Sequence, residues 1–155
     1  MSVIAPGTPA PEFTLKTEEG EAFTRDDLVG QATALVFYPF AFSSVCTDQL
    51  ELYEEILPEI AARGVRVFGV SCDATESQAA FRRSLPTSIP QLSDFEPKGA
   101  ASRAFGAYFE PAGMSHRCIV VTDAAGVVRW SFEGEHPGVL PGPDVLLEGL
   151  DALSA

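Results

Sequence analysis

The chain has 155 residues, of which 46% are hydrophobic and 21% charged, so it is long enough for one packed domain and too apolar for a disordered chain. Its net charge of −12 leaves no surplus of lysine and arginine for binding nucleic acid or an anionic membrane. The first residues, MSVIAPGTPAPEF, lack the basic start of a signal peptide, and the longest apolar run, residues 32–42, is too short to span a bilayer. We therefore expect one cytoplasmic domain over residues 1–155.

The first predicted element is a short hairpin, and strand–helix units follow it. The residues EFTLKTEEGEAFTRDDL alternate around Glu19 and Gly20, which is typical of a hairpin. The run ATALVFY predicts a strand that is buried on both faces. From about residue 44 to 63 apolar residues recur at helical spacing. Pro58 predicts a kink in this helix, and Gly64 predicts its end.

The second half of the chain continues the alternation and closes with a hairpin and a helix. VRVFGVS predicts a buried strand, ATESQAAFRRSL a helix beginning near Ala74 or Thr75, and PQLSD a short strand. In PKGAASRAFGAY, Pro97 predicts the first turn of a short helix. RCIVVTDAAGVVRWSFEG predicts a hairpin that turns at residues 123–126, and PDVLLEGLDALSA predicts an amphipathic helix.

This order of elements predicts an α/β domain with a mixed central sheet flanked by helices. Alternating strands and helices favour a parallel core, and the terminal hairpin adds antiparallel strands. The layout is that of a thioredoxin-like fold with an extra N-terminal β-hairpin. The order of the strands within the sheet follows from the fold class and not from the pattern itself.

The cysteines and histidines exclude several kinds of site. Cys46, Cys72 and Cys118 are widely spaced, and the absence of C-x-x-C argues against a zinc ribbon and a dithiol redox motif. No structural disulfide is expected in a reducing cytoplasm. His116 begins a predicted strand, His136 lies in a predicted loop, and neither has a ligand-like spacing to a cysteine. We assign no metal and no cofactor.

Cys46 lies in the first turn of the first long helix, directly after a buried strand. Sites in open α/β sheets gather at the carboxyl ends of strands, and a helix N-terminus stabilises a thiolate through free N–H groups and the helix dipole. Ser43 and Ser44 are the natural N-cap residues, while the nearby Asp48 opposes a negative sulfur. Because many free cysteines are simply buried, position alone leaves a reactive thiol and a core thiol as alternatives.

The stretch PFAFSSVC resembles the peroxiredoxin active-site signature P-x-x-x-T/S-x-x-C, with Pro39, Ser43 and Cys46 at its positions. The wider run VFYPFAFSSVCTDQLELYEEILPEI resembles the one-cysteine AhpE-like subgroup. PGTPAPEFTL, PQLSDFEPKGAASRAFGAY and HRCIVVTDAAGVVRWS extend the resemblance over nearly the whole chain. It implies a thioredoxin-like fold and a thiol-dependent peroxidase that reduces hydrogen peroxide and organic hydroperoxides through a cysteine sulfenic acid.

The resemblance also implies roles for four residues. Cys46 would be the peroxidatic nucleophile, the Ser43 hydroxyl would hydrogen-bond the peroxide or the thiolate, and Pro39 would shape and shield the pocket. Arg117 matches the family arginine. An arginine at the head of the buried run CIVV also needs a partner for its charge, although without the resemblance an arginine that reaches into solvent is the simpler interpretation.

Two positions depart from the family pattern. Ser43 stands where threonine is usual, and it lacks the methyl group that restricts the threonine rotamer, so its hydroxyl is expected to be less well ordered. Gln49 stands where many members have glutamate, which puts a polar role of that side chain in doubt.

Recycling of a sulfenic acid requires a second thiol. Glu51 stands where one subclass carries its partner cysteine. Cys72, at a predicted strand end, is either a resolving thiol or an apolar residue, whereas Cys118 should face away from its neighbour Arg117 and belong to the core. We favour an external thiol, either a small thiol such as mycothiol or a mycoredoxin- or thioredoxin-like protein. Family habit also predicts a homodimer.

Two other functions stay open at this point. A thiol–disulfide oxidoreductase is disfavoured because C-x-x-C is absent. A redox-sensing or chaperone-like binding protein would use the same oxidisable Cys46 to change partners. Sustained peroxide consumption with a recycling thiol would distinguish the peroxidase from such a sensor.

Overall fold

The computed structural model describes residues 2–85 and 87–154. The strands in this part of the chain are β1 (Thr14–Lys16), β2 (Ala22–Thr24), β3 (Thr33–Phe37), β4 (Arg66–Ser71), β5 (Gln91–Ser93), β6 (Tyr108–Phe109), β7 (Met114–Ser115), β8 (Cys118–Thr122) and β9 (Val128–Glu133). The α-helices are α1 (Ser44–Glu55), α2 (Leu57–Ala62), α3 (Thr75–Ser84), α4 (Ala100–Ala104) and α5 (Pro143–Asp151). Short 3-10 turns cover Arg25–Leu28, Glu110–Ala112 and Ala152–Ser154.

Seven strands form one mixed sheet in the order β2-β1-β5-β4-β3-β8-β9. The central strands β3, β4 and β5 are parallel, whereas β1 and β8 run antiparallel to their neighbours β5 and β3. The predicted mixed α/β sheet with an added N-terminal hairpin is therefore confirmed. The small separate hairpin of β6 and β7 was missed, because strands of two residues are too short to show alternation.

The sheet separates two apolar cores, which we call the α4 face and the α1 face. The α4 face contains Ala101 and Phe105 from around α4, together with residues from the N-terminal segment. The α1 face contains side chains from α1, α2, α3 and α5. Because side chains alternate along a strand, Cys118 lies on the α4 face and Ile119 on the α1 face. This confirms the prediction that Cys118 belongs to the core.

The first long helix is interrupted at Ile56, two residues before the predicted kink at Pro58. Proline lacks an N–H group and its ring crowds the carbonyl four residues earlier, so the break falls upstream of the ring. Gly64, with a φ of 75°, ends the second segment as predicted. Among residues 2–85 and 87–154, no helix is both long and apolar enough to cross a bilayer.

The prediction that Pro97 opens a helix is wrong. Helix α4 begins at Ala100, and its N-cap position is Gly99, whose φ of 72° is left-handed and ends the preceding turn. The carboxylate of Asp94 accepts hydrogen bonds from the N–H groups of Ala101 and Ser102, at 3.0 and 2.8 Å. The helix therefore starts where a carboxylate from before the turn caps it, and not at the proline.

Candidate active site

The loop after β3 turns the chain sharply into α1. Pro39 is buried directly after the strand region and cannot donate a ladder hydrogen bond, which favours a turn at this point. Phe42 has a left-handed φ of 70°, an unfavourable conformation for a bulky residue. The Asp73 carboxylate, from the turn after β4, accepts the N–H of Ala41 at 2.8 Å. This hydrogen bond from another segment helps hold the loop in its strained form.

Cys46 is the third residue of α1, and its side chain is fully buried on the α1 face. The first helical hydrogen bond runs from the N–H of Thr47 to the carbonyl of Ser43, at 2.9 Å. The N–H groups of Ser44, Val45 and Cys46 precede it and have no intrahelical acceptor. The sulfur therefore lies in the turn where unpaired donors and the positive end of the helix dipole favour negative charge.

Arg117 reaches Cys46 because β8 pairs antiparallel with β3. Phe37, at the end of β3, lies opposite Cys118, at the start of β8, so both ends meet at the same edge of the sheet. Arg117 precedes Cys118 and points to the opposite face, towards α1. Its Nη1 donates to the Cys46 sulfur at 3.2 Å. Strand pairing thus brings together two residues that are 71 positions apart in the chain.

The Arg117 guanidinium is held by acceptors from two further segments. Nε and Nη2 both donate to the carbonyl of Pro137, at 3.0 and 2.8 Å, and Nη1 also donates to Oε1 of Gln49 at 2.8 Å. Only 1% of Arg117 is exposed, and no carboxylate pairs with it in the described part of the chain. Cys46 is the one ionisable group among these hydrogen-bond partners, so a thiolate is the anion that would balance the buried cation.

The Ser43 hydroxyl is buried and has no hydrogen-bond partner among the described residues. Ser43 occupies the predicted N-cap position of α1 and has an extended backbone, but its side chain makes no capping hydrogen bond. Ser44 is the first helical residue and is exposed. A buried hydroxyl without a partner is unfavourable, and its donor and acceptor are open to a small polar molecule near Cys46.

Gln49 and Tyr53 complete the site; the sequence analysis left a polar role of Gln49 in doubt and missed that of Tyr53. They follow Cys46 by three and seven positions, so the three side chains share one face of α1, and all are buried. Gln49 Nε2 donates to the Tyr53 hydroxyl at 3.2 Å, and that hydroxyl donates to the carbonyl of Pro141 at 2.7 Å. The doubt about Gln49 is resolved, because its side chain links Arg117 to Tyr53. Helical spacing from Cys46 was the available signal.

The AhpC/TSA family model matches residues 6–131 of the chain. The chain belongs to this peroxiredoxin family. It is similar to alkyl hydroperoxide reductase E of Mycobacterium tuberculosis, at 31% identity over 150 residues that cover 96% of this chain and 97% of the relative. It is also similar to peroxiredoxin Bcp of Escherichia coli, at 29% identity over 139 residues that cover 86% and 88%. The structure of Enterococcus faecalis AhpC has a TM-score of 0.85 at 22% identity and covers 97% and 93% of the two chains, a likeness of fold.

Family membership confirms the predicted activity class. The peroxiredoxin is a thiol-dependent hydroperoxide reductase, which takes a hydroperoxide as substrate and requires a reductant. The structure brings Cys46 and Arg117 into contact and places Pro39 and Ser43 in the loop that leads to Cys46. The individual roles of these four residues stay predictions.

The other two cysteines of the peroxiredoxin lie in environments that favour the neutral thiol. Burial raises the pKa of Cys118 to about 12. Burial also raises the pKa of Cys72, whose sulfur lies 3.6 Å from the Ser115 hydroxyl in a buried polar cluster with Ser102. No disulfide links any of the three cysteines. Cys46 is therefore the cysteine with a cationic hydrogen-bond partner.

The remaining polar residues near the site do not contact the sulfur. Nδ1 of His116 accepts the backbone N–H of Arg117 at 2.7 Å, while His136 is exposed and lies in a loop, as predicted. Asp48 is exposed on α1. Across residues 2–85 and 87–154, no group of three histidine, cysteine or acidic side chains is arranged to hold a metal ion.

Proposed function

We propose that Cys46 is the peroxidatic cysteine of this hydroperoxide reductase. The observation that carries the proposal is the buried Arg117 guanidinium, whose Nη1 donates to the Cys46 sulfur at 3.2 Å. Pro137 and Gln49 supply neutral acceptors, so the charge of Arg117 favours an anionic partner at Cys46. The thiolate, and not the thiol, is the nucleophile in cysteine chemistry.

In the proposed reaction, the Cys46 thiolate attacks the terminal oxygen of a hydroperoxide. A sulfur–oxygen bond forms as the oxygen–oxygen bond breaks, and the sulfur is oxidised to a sulfenic acid. The leaving oxygen departs with the electron pair as hydroxide or alkoxide and takes up a proton, which yields water or an alcohol. Because negative charge moves from sulfur to the leaving oxygen, donors aimed at both atoms lower the barrier.

The neighbouring groups match these requirements. The hydrogen of Arg117 Nη2 that does not bond Pro137 and the unpaired Ser43 hydroxyl are the proposed donors to the peroxide oxygens. The free N–H groups of Val45 and Cys46 add to them at the helix N-terminus. Pro39 is buried and offers no N–H, and its proposed role is to limit water around the sulfur.

We infer that the sulfenic acid is resolved by an external thiol, such as mycothiol or a mycoredoxin- or thioredoxin-like protein. The external sulfur would attack the Cys46 sulfur and release water, and a second thiol would then reduce the mixed disulfide. Cys72 is the internal alternative. Burial raises the pKa of the Cys72 thiol, which argues against it as an attacking thiolate.

The protein is also proposed to act as a single domain and a homodimer in the cytoplasm. The dimer is a habit of the family, and the cytoplasm suits three cysteines that form no disulfide. Analytical ultracentrifugation of the reduced chain measures the assembly, and a monomer at micromolar concentration would overturn the proposed dimer.

Mass spectrometry of the intact chain after one equivalent of hydrogen peroxide tests the cysteine assignment. The expected product carries one added oxygen, which peptide mapping with a sulfenic-acid reagent locates at Cys46. A Cys46–Cys72 disulfide as the main product would instead support internal resolution. An oxygen added mainly at Cys72 or Cys118 would contradict the proposed nucleophile.

A further inference from the structure

Tyr53 makes no hydrogen bond to Cys46 or Arg117, yet it ends a chain of hydrogen bonds that begins at the sulfur. Arg117 Nη1 donates to Cys46 and to Oε1 of Gln49, and Nε2 of Gln49 donates to the Tyr53 hydroxyl at 3.2 Å. The Tyr53 hydroxyl in turn donates to the carbonyl of Pro141 at 2.7 Å. All three side chains from α1 and the arginine are at most 1% exposed.

The direction of each hydrogen bond in this chain follows from the chemistry of its ends. A carbonyl can only accept, so the single hydroxyl hydrogen of Tyr53 is committed to Pro141. Burial raises the pKa of Tyr53 to about 12, so the hydroxyl keeps this hydrogen at neutral pH. The Tyr53 oxygen is left as an acceptor and requires the NH₂ end of Gln49. The oxygen of Gln49 must then face Arg117, which can only donate.

Without the tyrosine hydroxyl, only the guanidinium itself favours this orientation of the amide. Gln49 could rotate by half a turn and present its NH₂ group to the guanidinium, two donors facing each other at the site of a buried cation. Arg117 would lose one of its acceptors and with it part of the force that keeps Nη1 against the sulfur.

The same hydroxyl also anchors the segment that supplies the other acceptor of Arg117. Pro137 and Pro141 lie four residues apart in the connection between β9 and α5. The Pro137 carbonyl receives two N–H groups of Arg117, and the Pro141 carbonyl receives the Tyr53 hydroxyl. Tyr53 therefore ties α1 to the connection that clamps the guanidinium.

We propose that Tyr53 is a positioning residue, which sets the amide orientation of Gln49 and so holds Arg117 against Cys46. The inference rests on the proposed function of Cys46. It predicts that the effect of the Tyr53 hydroxyl on the rate of Cys46 oxidation depends on which residue stands at position 49. A carboxylate there presents an acceptor oxygen to Arg117 in either orientation and needs no orienting partner.

The test is a double-mutant cycle on the rate constant for oxidation of Cys46 by hydrogen peroxide, measured by rapid quenching and intact mass. We expect Tyr53→Phe to slow oxidation about tenfold when residue 49 is glutamine. In a Gln49→Glu chain the same substitution should slow oxidation by less than about threefold, because only the anchor to Pro141 is then lost. A purely structural loss would be similar in both backgrounds.

Tyr38→Phe is the matched control. Tyr38 is a fully buried tyrosine on the same face of the sheet, and its hydroxyl donates to Gln91 Oε1 at 2.6 Å without any link to Arg117. Loss of the Tyr38 hydroxyl should lower the free energy of unfolding. It should leave the rate of Cys46 oxidation within about threefold of the chain with Tyr38, whether residue 49 is glutamine or glutamate.

Several results would overturn the inference. A Tyr53→Phe rate within threefold of the parent chain, an equal loss in both backgrounds, or an equal loss in Tyr38→Phe would each do so. An inactive Gln49→Glu chain would do so as well, because an acceptor at position 49 would then be insufficient. Failure of the parent chain itself to be oxidised at Cys46 would instead contradict the proposed function.

Discussion

The two faces of the sheet each bury a cysteine, and the two thiols differ in what surrounds them. Cys46 on the α1 face and Cys118 on the α4 face are both fully buried. The Cys118 thiol has no hydrogen-bond partner among the described residues, and burial raises its pKa to about 12. Cys46 instead accepts a hydrogen bond from Arg117 and lies at a helix N-terminus. Burial alone therefore does not determine the chemistry of a thiol, because the charges and donors beside it decide which form is stable.

Strand alternation produces this contrast within two consecutive residues. Arg117 and Cys118 are neighbours in sequence, but they point to opposite faces of the sheet. The cation therefore serves the cysteine that is 71 positions away and not the one beside it. A shift of one residue in the register between β3 and β8 would exchange the two environments.

The largest expected effect comes from removing each thiol in turn. Cys46→Ser should lower peroxide consumption with an added dithiol by about 1,000-fold or more, because the proposed nucleophile is lost. Cys118→Ala should keep the rate within about threefold, since that sulfur faces the other core. Peroxide consumption that survives in Cys46→Ser, or disappears in a folded Cys118→Ala chain, would remove the basis of the comparison.

Replacing the cation tests what distinguishes the two faces. In Arg117→Lys, one ammonium group cannot serve Pro137, Gln49 and the Cys46 sulfur together, so oxidation by hydrogen peroxide should slow about 100-fold. Arg63→Lys is the control, because Arg63 pairs with surface acids on another part of the chain. Stopped-flow or rapid-quench rates decide the matter, and a rate for Arg117→Lys within threefold of the parent would contradict the assigned role.

Ser43→Ala should change activity and stability in different directions. Loss of the proposed donor should slow oxidation about tenfold. Because the hydroxyl has no partner, its removal should leave the free energy of unfolding unchanged or raise it by up to about 1 kcal/mol. Urea denaturation measures the second effect. Ser43→Thr keeps the donor and should retain most of the rate, and a stability loss above about 1 kcal/mol in Ser43→Ala would indicate a structural hydroxyl instead.

The smallest expected effect is the dependence of stability on alkaline pH. The Cys118 thiol has a pKa of about 12 in the folded chain, above its ordinary value of 9.0. The contribution of this thiol to the free energy of unfolding is complete below pH 9. It is lost as pH rises towards 12, because the thiol ionises at lower pH in the unfolded chain than in the folded one, which favours unfolding. Between pH 8 and 10 the parent should lose about 1 kcal/mol more unfolding free energy than Cys118→Ala. Equal losses in the two chains, measured by urea denaturation, would contradict the assigned environment of Cys118.

Much of the fold was predictable because its elements depend on residues that are close in the chain. Alternation identified the N-terminal hairpin, apolar runs identified β3 and β4, and helical spacing identified α1 and α5. The start of α4 was not predictable from Pro97, because the cap that decides it is Asp94, which lies before an intervening turn. The break at Ile56 differs from its prediction by two residues for a local reason, since proline acts on the turn before it.

The sequence by itself determined the activity class, because PFAFSSVC and most of the rest of the chain resemble peroxiredoxins, and it located Pro39, Ser43 and Cys46 between a buried strand and a helix. The tertiary structure decided what holds the arginine. Tyr53 bonds a carbonyl 88 positions away, and Arg117 is clamped by the carbonyl of Pro137. Every residue has a backbone carbonyl, so no side-chain pattern identifies these two as acceptors, and only the packing of α1, β8 and the connection between β9 and α5 selects them.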